Sequence, residues 1–210
     1  GCVSMGNLPR IYCGIVRTSV IKKIRKRNNT AFPGPSPDMA NAVAVAIEVN
    51  RYLSGDFPVF IAGNSKNSNA AKGLKKKHVG NLDEQSFLPE NILEIWPKIL
   101  PLYWSGPTIW AASALLVMQK YKYNATKKFN ISLFFAHEFV YNHNLFLKHV
   151  SKYKVLINPL VVYFIIYKII IRALYFISSR FFKNKKQDIE TLSEVIEKFS
   201  AKLDISVSQN

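Results

Sequence analysis

Cysteine is scarce: the 210 residues hold two, Cys2 and Cys13, both near the N-terminus. That excludes a disulfide framework and any zinc or iron–sulfur centre built from several thiolates. No Gly-x-x-x-x-Gly-Lys-Ser/Thr loop, no Gly-x-Gly-x-x-Gly turn and no Gly-x-Ser-x-Gly elbow occurs. The usual sequence devices of nucleotide-binding and α/β-hydrolase sites are therefore missing. Acid is missing over long stretches as well. No carboxylate precedes Asp38, and from Lys120 to Lys186 Glu138 stands alone among thirteen Lys and Arg. One carboxylate cannot form the acid pair that glycoside hydrolysis needs. Apolar surface, by contrast, is ample: 49% of residues are hydrophobic and 13% aromatic, too many for a disordered chain.

The formal net charge of +16 arises in blocks. Residues 1–37 carry seven cations and no acid, 38–97 is nearly balanced, 120–186 is strongly basic, and 187–210 is mildly acidic. Anionic lipid surfaces and phosphodiester backbones both favour such blocks. Lys exceeds Arg 22 to 7, an excess that a codon bias toward AT would also produce. Lysines and aromatics alternate at Lys120-Tyr121-Lys122-Tyr123 and Lys152-Tyr153-Lys154. Interleaving of this kind suits a headgroup belt beside apolar runs; nucleic acid, which leans on arginine forks, is the weaker fit.

Two apolar runs stand out. Ile99 to Gln119 has no charged residue over twenty-one positions and carries Tyr103, Trp104 and Trp110, with Tyr121 and Tyr123 just beyond. A helix of that length crosses a hydrocarbon core of about 30 Å, with those aromatics at the headgroups. Pro101, Gly106 and Pro107 work against it: a helix capped by Ser105 and starting at Pro107 is too short to cross. Val155 to Ser179 is more apolar, interrupted by Lys168 and Arg172 four residues apart, which places both on one helical stripe. Mid-bilayer cations cost about 2.5–3.5 kcal/mol each on insertion scales, so the pair calls for lipid phosphates or an acidic partner. Arg180, Lys183, Lys185 and Lys186 follow as a basic juxtamembrane cluster.

At the N-terminus, Gly1-Cys2 fits a myristoylated glycine beside a palmitoylated cysteine, although Met5 stands where that signal prefers Ser or Thr. The acid-free stretch with Ile11, Ile15, Val20, Ile21 and Ile24 beside its cations also reads as a mitochondrial presequence-like or membrane-surface amphipathic arm. A Pro-rich linker, 31–37, leads to a helix starting at Ser36 or Asp38 and running to about Ser54. Residues 63–85 read as an exposed loop, 92–96 as a short helix, 120–154 as a basic loop, and Ile189 to Leu203 as an amphipathic seam. His137-Glu138 resembles the start of a zincin motif, but Tyr141 occupies the i+4 position and His143 falls at i+6 on another face.

These pieces predict a mainly α chain with one or two transmembrane helices, amphipathic flanking helices, extended linkers and little independent globular core. The regions are a basic arm and linker (1–37), a small soluble helical and loop region (38–97), a membrane-associated hydrophobic region with a basic loop (98–186) and an amphipathic helix (187–210). The expected function is that of a non-catalytic accessory subunit of a multisubunit membrane complex, of respiratory-chain or ATP-synthase type, in the mitochondrial inner membrane. Its expected partners are other subunits and anionic phospholipids, without a cofactor or metal. The rival is a basic RNA-associated protein of an organellar ribosome. A small membrane metalloenzyme using His137, Glu138 and His143 comes third.

Overall fold

Serine, asparagine and proline decide where this chain enters helix. The computed structural model describes residues 4–53, 79–86, 88–123, 129–150 and 158–181, apart from the side chains of 180 and 181. Among the described residues it is mainly helical, with six α-helices and no strand: α1 (Thr18–Asn28), α2 (Pro37–Glu48), α3 (Ile92–Ile95), α4 (Gly106–Lys120), α5 (Ile131–Val150) and α6 (Pro159–Phe181). Pro37 and Pro159 occupy first helical positions, where a missing N–H is harmless. Asn130 and Asn158 turn their side-chain oxygens onto the N–H groups of Leu133 and Leu160, each at 2.9 Å. α1 closes on Asn29, whose φ of 61° is the left-handed conformation that asparagine tolerates at a helix end.

α4 is the organising element. Ser105 Oγ accepts from the Thr108 N–H (3.1 Å) and the Thr108 hydroxyl accepts from the Ser105 N–H (2.8 Å), a reciprocal cap that starts the helix. Its apolar residues then serve two clusters. Ile109, Ala112 and Leu115 join Trp96, Leu100, Phe134, Phe146 and Val161, while Ala114 and Val117 join Ile24, Met39, Val43 and Val45. A helix apolar on every side is normally buried, and α4 is. Ala40 and Ala44 of α2 and Ala114 of α4 are small and fully buried, so the two helices approach closely.

The Pro-rich linker is fastened to this pair. The Ser36 N–H donates to Ser113 Oγ at 2.8 Å. Gly34 has φ +76°, and a Cβ there would lie 3.0 Å from Ala40 Cβ and 3.4 Å from Ser113 Cβ, so glycine is required by conformation and space alike.

Several expectations change. Ile99 to Gln119 is not one spanning helix: Pro101 and the Ser105 cap delay α4 to Gly106, leaving 15 residues, mostly buried. Residues 131–150, read as part of a basic loop, form the 20-residue α5, because Phe134, Phe135, Phe146 and Val150 bury against α4's cluster. The expected scarcity of core is likewise corrected by these two clusters. α2 ends at Glu48, before the expected Ser54. The chain divides into two units, Gly1–Ile169 and Ile170–Asn210, and both clusters lie in the first. The expected C-terminal seam helix lies outside the described residues.

Candidate functional site

Two places carry unusual chemistry: a buried carboxylate within the first unit, and an apolar helix with two cations.

Glu138 lies on α5 with its side chain fully buried. The turn before α4 supplies two donors to its Oε2: the Tyr103 hydroxyl at 2.5 Å and Ser105 Oγ at 3.1 Å. A third comes from α5 itself, where Asn142 Nδ2 lies 3.1 Å from Oε2 and 3.3 Å from Oε1. Asn142 has φ −133° and ψ 36°, so α5 is kinked at the residue that turns back onto the carboxylate. His137 Nδ1 is 3.6 Å from Oε1. The Tyr103 ring is also fully buried and lies 5.5 Å from the imidazole of His149. Two backbone hydrogen bonds between Gly80 and Trp104, of 2.7 and 3.1 Å, hold the turn that presents Tyr103 and Ser105.

The electrostatics follow from enclosure. Burial, then the charge of Glu138 and its hydrogen bond, raise the Tyr103 phenol well above its ordinary range, so it stays a donor. Burial, then Lys148, lower the His149 imidazole, which is held neutral. A carboxylate bound by three donors and sealed from solvent ties the 101–105 turn to α5 and leaves no exposed face for a substrate. Among the described residues no group of three or more His, Cys, Asp or Glu side chains is placed to share a metal ion. His143, exposed beyond the kink, does not join His137.

α6 is different in kind. Among the described residues it is the one helix long and apolar enough to cross a membrane, over Pro159–Ser179. Twelve large hydrophobic side chains from Leu160 to Ile177 are exposed. At about 100° per residue they cover all of the circumference except one stripe. That stripe holds Val161, Ile165, Lys168 and Arg172; Val161 is buried in the cluster around α4, and Ile165 packs on it.

Of the aromatics expected at a headgroup level, Tyr103 and Trp104 are buried in the protein's own core, Trp110 and Tyr121 are half-buried, and Tyr123 is exposed. The reason is the shortness of α4, which draws the preceding turn inside. Burial and then Glu48 push the Tyr121 phenol up to about 12, with Arg27 stacked 4.7 Å over its ring. Lys168 and Arg172 lie on α6 as the spacing requires. The side chain of Arg180 and all of Lys183, Lys185, Lys186, Gly1 and Cys2 lie outside the described residues. The Glu138 cluster was missed by sequence reasoning, although one signal pointed to it: a lone acid in an otherwise basic, apolar half of the chain is a residue that must find donors. No family model, no curated protein and no solved structure matches the chain.

Proposed function

We propose that this chain is a non-catalytic subunit of a membrane assembly, held in the bilayer by α6 and presenting its helical unit at the surface. One observation carries the reading: α6, 23 residues long, exposes apolar side chains around nearly its whole girth from Leu160 to Ile177. Its length of about 34 Å at 1.5 Å per residue matches a hydrocarbon core of about 30 Å. Soluble proteins rarely leave contiguous apolar patches beyond a few hundred Å² in water. Leaving twelve such side chains half exposed forfeits on the order of 10 kcal/mol or more, at about 1.5–3 kcal/mol for each full burial. Lipid removes that penalty without any protein partner.

The Glu138 network supports a structural role for the helical unit, since both Glu138 and Tyr103 are sealed inside it. The stripe of Lys168 and Arg172 supports an acidic partner subunit or lipid phosphates as the neighbour of α6. The acid-free basic N-terminal segment supports the mitochondrial inner membrane as the setting. Alkaline carbonate extraction of membranes from cells expressing the full chain tests the reading. The chain is expected to stay in the membrane pellet, and release into the supernatant would overturn it.

A further inference from the structure

Helix α1 packs so that its apolar side is used up and its charge is left outside. On α1, Ile24 is fully buried and Val20 and Ile21 are half-buried against the cluster shared by α2 and α4. The helix therefore has no apolar face left to lay into a membrane, as an in-plane amphipathic helix would. Lys22, Lys23, Arg25 and Lys26 all point outward, with Arg17 at the helix start and Arg10 ahead of it also exposed. Among the described residues Arg27 is the one cation of this segment that meets a carboxylate, Glu48 at 3.6 Å. The four others within this short helix repel one another and weaken it. The helix C-terminal dipole favours them only over the last turn.

On either side of α1 in sequence, apolar side chains are left exposed. Ile15, two residues before Arg17, is 91% exposed. Tyr12 and Phe32 are about half exposed and stacked on each other, with centroids 6.3 Å apart and planes 14° apart. That stack clips the turn preceding α1 to the segment following it, so the two ends form one small pad. Exposed cations with exposed aliphatic and aromatic groups a few residues away in sequence match an interface whose partner is anionic above and apolar below. Single-stranded nucleic acid fits less well, because each ring of the pair already offers one of its faces to the other.

We infer that the outward face of α1 and the turn of residues 10–15 form a docking surface for an anionic phospholipid bilayer, with the cations on headgroup phosphates and Ile15, Tyr12 and Phe32 entering the interfacial layer. The inference rests on the reading of α6 only in that a membrane tether raises the local concentration of lipid at this surface.

Cys13 is exposed within that turn and provides a reporter. The full chain, with Cys2→Ser, carries an environment-sensitive dye on Cys13. It is reconstituted into vesicles of phosphatidylcholine alone or of equal parts phosphatidylcholine and phosphatidylglycerol. In the anionic vesicles the dye is expected to be quenched by spin-labelled lipid and shielded from iodide, with both effects lost in high salt. Each surface cation weights the contact about fivefold, so K22Q/K23Q/K26Q is expected to weaken it about a hundredfold. Those positions are exposed, and the variant's helical circular dichroism should be unchanged. Equal iodide access in both vesicle types, with the chain still resistant to carbonate, overturns the docking surface and leaves the α6 reading intact. Should carbonate release the chain, the α6 reading fails alone: sedimentation of the released chain with anionic vesicles, weakened by K22Q/K23Q/K26Q, still supports the surface. Displacement from those vesicles by stoichiometric single-stranded RNA overturns it in favour of nucleic acid.

Discussion

Replacing Tyr103 by Phe should destabilise the helical unit more than replacing Glu138 by Gln, although only the second removes a charge. The Tyr103 hydroxyl donates at 2.5 Å to a carboxylate that has no solvent contact. Y103F leaves that carboxylate buried with Ser105 and Asn142 as its remaining donors. Losing a hydrogen bond to a charged group costs about 1.5–3 kcal/mol, and no water can take the place of the hydroxyl. E138Q keeps the shape and an acceptor for Tyr103. It weakens that bond to a neutral one worth about 0.5–1.5 kcal/mol, but it also removes the penalty of burying an anion. The two terms nearly offset, so E138Q should cost within about 1 kcal/mol. In the E138Q background, Y103F loses only the neutral bond, which predicts a coupling of about 1 kcal/mol in the double-mutant cycle. The assay is denaturant unfolding of the full chain in mild detergent, followed by tryptophan fluorescence, since Trp96 and Trp104 are buried in the same cluster. A Y103F cost below about 0.5 kcal/mol, or E138Q costing more than Y103F, would refute the argument that donors to a buried carboxylate hold the 101–105 turn to α5.

Gly34→Ala should cost about 1–2 kcal/mol from the left-handed backbone alone, and more as its Cβ presses on Ala40, read as a lower unfolding midpoint. Ser113→Ala strands the Ser36 N–H and should cost about 1–3 kcal/mol, detectable as faster proteolysis around residues 33–37. The raised Tyr103 phenol makes a contribution that is complete below the ordinary value of 10.0 and lost as pH climbs above it toward the folded value. Ultraviolet difference titration should find one tyrosine ionising only with unfolding. His149 has the opposite sign: its folded value is depressed, so its contribution is complete above pH 6.5 and lost as pH falls through the folded value. H149F should flatten that acidic limb in unfolding midpoints taken across it.

Capping chemistry made much of the fold legible. Ser36 before Pro37 and Ser105 before Gly106-Pro107 each mark a helix start that the structure has: proline presets the first turn of α2, and the Ser105 side chain caps α4. Long-range pairing was not legible. Residues 131–150 look like a basic segment only if the flanking lysines are counted with them. Between Lys128 and Lys148 the chain has no cation other than histidine, and four buried residues there find α4 and its surroundings. Tyr103 illustrates the limit for the site: an amphipathic ring next to an apolar run suits a headgroup belt equally well, and its buried partner, Glu138, lies 35 residues away. The two apolar runs differed in sequence by their interruptions. Gly106 and Pro107 shorten the first to a core helix, whereas Lys168 and Arg172 cost the second nothing in helicity and leave 23 residues unbroken.

The same two cations decide what kind of neighbour α6 needs. Counted from Pro159 they are the tenth and fourteenth of its 23 residues, close to the middle of any span, where insertion scales charge about 5–7 kcal/mol for the pair. They share a stripe with Val161 and Ile165, which pack on the core cluster around α4, so the stripe is the natural protein-facing side of the helix. If an acidic side chain of a partner subunit meets them, K168L/R172L should insert more readily yet assemble less well on native gels. K168E/R172E should insert about as poorly as the parent and lose assembly altogether. If lipid phosphates alone meet them, the leucine variant should assemble as the parent does. A leucine variant that assembled better than the parent would show the pair to be only a burden, and the proposed acidic neighbour would be wrong.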